Sequence, residues 1–221
     1  MPIDLQTRRW WTFLRSVSVL NILLWSIVLF TVDFTQPYRT AHLILAGIYV
    51  LVCGFRSFFP RIDLERTVLV DHWLSNIVLG RSSATLAEMC FTAQLTLILF
   101  EWSTTIPWLY TLGIIIFPLI AIAQVTCWLG VLTGNHLWHA AEESLWAFMV
   151  LLMAIAGIAI WPHSNNFMAS LIGIGWFGAA GTIYIMSGVD VPMYIRRWKE
   201  EKRKDTRFVS VPEGFVDALS R

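Results

Sequence analysis

From Pro107 to Leu132 the chain reads PWLYTLGIIIFPLIAIAQVTCWLGVL, without one charged side chain. At 1.5 Å per residue a helix of that length exceeds the ~30 Å hydrocarbon core of a bilayer. Pro118 falls in its middle, where a helix surrounded by water would break and a membrane helix kinks. The stretch reads as a membrane span, and five others resemble it. They cover about Arg15–Phe34, Tyr38–Phe59, Ser82–Glu101, His136–Trp161 and Asn166–Ser187. Connections are short except for a loop from about Pro60 to Arg81.

Composition agrees with that reading. The 221 residues are 57% hydrophobic and only 14% charged, with mean hydropathy +0.63, whereas a soluble domain is about 25% charged. Twelve Trp residues suit a protein with two membrane–water interfaces. The basic pair Arg8-Arg9 precedes an apolar run too long for a signal-peptide core, so that run is expected to stay in the mature protein. The expected fold is an all-α polytopic bundle of six transmembrane helices, residues 1–190. A basic tail, residues 191–221, follows.

Charge sets the expected orientation. With both termini on one side, fifteen of the sixteen Lys and Arg residues fall on that side and only Arg39 on the other. The positive-inside rule then places the N- and C-termini in the cytoplasm. Trp102, Trp108 and Trp161 would mark the outer interface, and Trp10, Trp11, Trp73, Trp138 and Trp198 the inner one. The tail run from Arg196 to Lys204 is expected to meet anionic headgroups at about 1 kcal/mol per basic residue. The basic residues follow a membrane face, so nucleic acid is not an expected partner. Small residues at four-residue spacing in the sixth span, Ala169/Gly173 and Gly175/Ala179, allow close approach of another helix. That helix could be internal, a second copy of the chain or another membrane protein.

Polar residues inside the spans carry what chemistry there is. Glu88 and Glu101 lie about 20 Å apart along one helix, so both cannot escape the hydrocarbon. Setting Glu101 at the outer interface buries Glu88 from the inner side, with Arg81 and Thr85 and Thr92 on its face. Such a carboxylate is either a functional group or a packing device. The densest polar stretch is Gly134-Asn-His-Leu-Trp-His-Ala-Ala-Glu-Glu143. At about 100° per residue His136, His139 and Glu143 share a face, while Glu142 points elsewhere. Two imidazoles and a carboxylate suit a divalent metal or a proton relay. The plain alternative is a polar entry turn, with Asn135 as its N-cap.

The expected function is a membrane-embedded enzyme acting on a lipid or other apolar substrate. His136, His139 and Glu143 would hold the metal, Glu88 or Glu143 would handle protons, and Arg56, Arg61, Arg66 or Arg81 would grip an anionic headgroup. Other classes are a non-catalytic subunit or assembly factor of a membrane complex and a small proton-coupled transporter using Glu88. Haem fits poorly, because His136 and His139 share a helix and His42 lies toward the other side. Cys53, Cys90 and Cys127 sit in apolar segments and read as small hydrophobes, not as a disulfide scaffold.

Overall fold

Asp4 opens the first helix, accepting hydrogen bonds from the Thr7 amide (3.0 Å) and hydroxyl (2.6 Å). That cap satisfies an otherwise orphaned helix-end amide. Helix α1 (Leu5–Thr31) therefore starts ten residues before the apolar run expected from the sequence, since Arg8 and Arg9 do not interrupt helicity. The computed structural model describes residues 4–63 and 67–220. After α1 come α2 (Pro37–Phe58), α3 (Ile77–Trp102), α4 (Trp108–Thr133), α5 (His136–Ile160) and α6 (Asn166–Ile183). A π-helical segment (Tyr184–Asp190) carries α6 without a break into α7 (Val191–Arg203), and α8 (Val211–Ser220) follows. Strands β1 (Arg61–Ile62) and β2 (Thr67–Val68) pair antiparallel in the α2–α3 connection. Six of the helices are long and apolar enough to cross a membrane.

The chain divides into two compact units. One comprises the residues up to Gln94 together with Phe215 onward; the other is Leu95–Gly214. In the first unit α1 lies along α2, fastened by indole donors in place of charge. Trp25 Nε1 donates to the Leu43 carbonyl at 3.0 Å and Trp11 Nε1 to the Ser57 carbonyl at 2.9 Å. The Ser57 carbonyl, in the last turn of α2, is one of those without an intrahelical partner and so a ready acceptor for an indole. Gly47 makes room for the first contact, because a Cβ there would come within 2.5 Å of the Trp25 ring.

The loop before α3 is shorter than the sequence suggested. Asn76 Oδ1 accepts from the amides of Val78 (2.9 Å) and Leu79 (3.3 Å), so α3 begins at Ile77. Arg81, expected at the end of the loop, consequently sits inside the helix and is buried. In the second unit α4 is the most enclosed helix, with Leu109, Ile116, Ile120 and Ala123 fully buried. It ends at Gly134, whose φ of 72° is the left-handed conformation glycine adopts without strain. Asn135 then caps α5, accepting from the Leu137 amide at 3.0 Å.

Beyond α6 the apolar signal fades but the helix does not. Pro192 has no amide to offer the carbonyl one turn back, and the turns before it widen, so that the Val191 amide reaches the Met186 carbonyl. After α7 the chain reverses at Asp205 (φ 51°) and the Val209 amide bonds the Thr133 carbonyl at 3.2 Å. Gly214 rests on the Leu132 carbonyl at the end of α4.

Glu213 forms a cap at the start of α8: its carboxylate accepts from the Ser210 hydroxyl (2.7 Å) and amide (3.2 Å). Those two bonds hold the Glu213 carboxyl below its ordinary value. The folded pKa is the depressed one, so the cap's contribution is complete above the unfolded value and fades as pH falls through the folded value. Hydrogen exchange in the first turn of α8, corrected for intrinsic pH dependence, should therefore quicken between pH about 6 and about 3. A Glu213→Gln variant should lack that response.

Candidate functional site

Two histidine–carboxylate pairs lie close together in the second unit. His139 Nδ1 stands 3.1 Å from Glu142 Oε2, one turn on along α5. His136 Nε2 stands 3.0 Å from Glu201 Oε1, which α7 supplies. The Tyr194 ring, also from α7, stacks on His136 and lies tilted against His139, with centroids 6.0 Å and 5.3 Å away. His136, His139 and Glu142 are each less than a tenth exposed, and Asn135 is the helix N-cap, as the sequence suggests.

The pairing decides which ring nitrogens carry hydrogen. An ionised carboxylate only accepts, so the proton of each neutral imidazole sits on the nitrogen facing its glutamate. The other nitrogen is then a bare lone pair. Those two atoms, His139 Nε2 and His136 Nδ1, are buried and have no hydrogen-bond partner among the described residues; the same holds for Glu201 Oε2. Three buried acceptors with no donor form a costly arrangement, at about 1–3 kcal/mol each. It is relieved by a cation, a proton or a donor-bearing ligand.

Helix α4 lines the other side. Cys127 is 2% exposed, and its Sγ lies with one nitrogen of His139 and one oxygen of Glu142 in a group whose atoms are all within 4.8 Å of one another. One turn along, Gly130 faces the imidazole edge, where a Cβ would come within 2.6 Å of His139 Nε2. Electrostatics favour positive charge here. Glu142, Glu143 and Asp190 all act on the Tyr194 hydroxyl, and Arg197 is the opposing cation at both Tyr194 and His136.

The residues singled out by sequence fall into both units. His136 and His139 lie together, and Glu143, half-buried, is within electrostatic reach of Tyr194. Glu142 had been expected to point away, yet it is the carboxylate bonded to His139. The sum of 100° steps left it as near to His139 as His136 is, and the side-chain rotamer settles the matter. In the first unit Arg81 Nη2 donates to Glu88 Oε1 at 2.9 Å, two turns apart on α3. Arg56 and Glu88 both act on Cys53, and Glu88 also on Tyr49. Arg61 is bound within its own loop, by the Asp63 carboxylate at 2.5 Å and by the Ser75 carbonyl. Arg66 lies outside the described residues.

The sequence reading passed over four residues. Cys127 looked like a hydrophobe, Glu142 was assigned to the wrong face, and Tyr194 and Glu201 were absorbed into a basic tail. A usable signal existed for one pair, since Cys127 and Gly130 are one turn apart and share a helix face. The first unit also holds an apolar cavity of about 550 Å³, lined among others by Asn21, Trp25, His42 and Gln94. Comparison with known protein families, with curated proteins and with solved structures yields no match.

Proposed function

We propose that this chain is a membrane-embedded enzyme acting on a lipid or other apolar substrate, with its reaction centre at the His139–Glu142 and His136–Glu201 pairs. The observation that carries the reading is the set of three buried acceptors, His139 Nε2, His136 Nδ1 and Glu201 Oε2, with no donor among the described residues. A carboxylate-oriented imidazole with its far nitrogen open is a general base in waiting. Burial among apolar helices removes water from around it, and the six apolar helices bring it to where amphiphiles dissolve.

In this reading both termini are cytoplasmic, as the charge distribution supports, and residues 191–221 form a cytoplasmic segment. Arg196, Lys199 and Arg203 line one surface groove on α7 and would meet anionic headgroups.

The test compares membrane lipid extracts from cells expressing the natural chain and a Glu142→Gln variant at equal levels. At least one lipid class should change in abundance with the natural chain and return to the vector-only level with the variant. Indistinguishable extracts from all three would overturn the reading.

A second reading, a non-catalytic subunit of a larger membrane complex, is favoured by α6. That helix buries no residue, and Gly175 and Gly178 have nothing within 4 Å of their Cβ positions. Such a face accepts another helix closely. Crosslinking from a Gly178→Cys variant to a different protein at stoichiometric yield would favour that reading.

A further inference from the structure

We infer that Cys127, His139 and Glu142 together bind one divalent transition-metal ion, with zinc the best match to the donor set. The inference rests on the proposed enzyme's site and deepens it by naming a cofactor.

Donor geometry is the first argument. Tetrahedral zinc, with bonds of about 2.0 Å to nitrogen and oxygen and about 2.3 Å to sulfur, spaces its ligand atoms roughly 3.3–3.8 Å apart. Three donor atoms here, the Cys127 Sγ, one nitrogen of His139 and one oxygen of Glu142, lie within 4.8 Å of one another. Closing such a group onto a common centre takes changes in spacing of roughly 1–1.5 Å at most, within side-chain freedom. All three residues are buried, at 2%, 6% and 8% exposure, so they are not a chance cluster on a wet surface.

A second, independent argument is the shape of the wall. The α4 helix presents a thiol at Cys127 and an absent side chain at Gly130, one turn later, facing His139 Nε2. That nitrogen is buried and unpartnered among the described residues. The missing side chain at Gly130 lets that imidazole edge press directly against α4, the helix that carries Cys127.

Charge supplies the third argument. Glu142, Glu143, Asp190 and Glu201 gather near Tyr194 and His136 with Arg197 as the opposing cation. A dication with a thiolate ligand rebalances that excess, and its binding releases the Cys127 thiol proton to solvent. Thiolate, imidazole and carboxylate together favour zinc over magnesium or calcium, which take all-oxygen sets. Three protein ligands leave a fourth position for water, as catalytic zinc sites do. His136 and Glu201 then lie outside the ligand set, and the general-base role falls to His136, whose Nδ1 is unpartnered among the described residues.

Metal content of the purified full-length protein tests this. After growth with zinc and dialysis without chelator, about one zinc per chain is expected, falling at least about tenfold in Cys127→Ser and in His139→Ala. His136→Ala should keep its zinc. Cobalt substitution gives a reading that needs no variant of the site. The natural protein should show a thiolate-to-cobalt charge-transfer absorption, and Cys53→Ser and Cys90→Ser should retain it. Absence of stoichiometric zinc, or cobalt bound without that absorption, would overturn the inference. Zinc bound with lipid extracts unchanged by Glu142→Gln would leave the metal site standing and sink the enzyme. Altered extracts without zinc would do the reverse.

Discussion

A Gly130→Ala substitution should abolish the function of the second unit while touching none of its polar residues. The added methyl would lie 2.6 Å from His139 Nε2 and 2.8 Å from two ring carbons, distances that no real Cβ contact sustains. The His139 ring cannot simply turn aside. Its other edge is held by Glu142 and its face by Tyr194. Either the imidazole shifts by about an ångström, which costs of order 100-fold in a positioned reaction, or α4 and α5 separate, which costs about 1–3 kcal/mol. Zinc content and the lipid-extract signature should both fall to the level of His139→Ala. Gly175→Ala, with nothing within 4 Å of the new methyl, is the matched control and should behave as the natural chain. A Gly130→Ala protein with full zinc and an unaltered signature would mean that His139 has no fixed role.

The second large effect is expected at Gly214. A Cβ there would meet the Leu132 backbone, lying 2.7 Å from its carbonyl carbon and closer still to the oxygen. Backbone atoms inside α4 cannot yield as a side-chain tip can. Gly214→Ala should therefore lift the start of α8 from the end of α4, at a cost of at least about 1–3 kcal/mol. The bond from the Val209 amide to the Thr133 carbonyl should open with it. Proteolysis at Lys204 and Arg207 reports this directly and should accelerate several-fold. Val216→Ala, at a side chain two-thirds exposed, should leave the rate unchanged.

The six long helices were legible because an unbroken apolar run is a one-dimensional property. The segments read between Tyr38 and Ser187 match the helices to within a few residues, apart from the start of α3, which Asn76 caps ahead of any apolar signal. Both ends of the apolar core misled for a shared reason. Hydropathy reports where a membrane is, not where a helix is, so Arg8-Arg9 and the run after Ser187 looked like boundaries inside what are continuous helices. His136 and His139 were legible as chemistry because they stand out against their surroundings. Their partners were not. Glu142 was lost to a choice of rotamer, and Glu201 lies 65 residues along from His136, among basic neighbours that explained it away. Cys127 is on a different helix from His139, and only tertiary packing tells a ligating thiol from a buried one.

The widened turns from Tyr184 to Asp190 have a rotational consequence. Each residue gained or lost in a helix swings everything downstream by about 100° about the axis. The loosened segment therefore acts as a phase adjuster between a membrane-crossing rod and its continuation, allowing Phe177 to look outward while Tyr194 and Glu201 still look toward α5. Deleting Val189 would tighten the rod and aim the same side chains at empty surroundings, uncoupling the two histidines from their α7 contacts without altering a single contact residue.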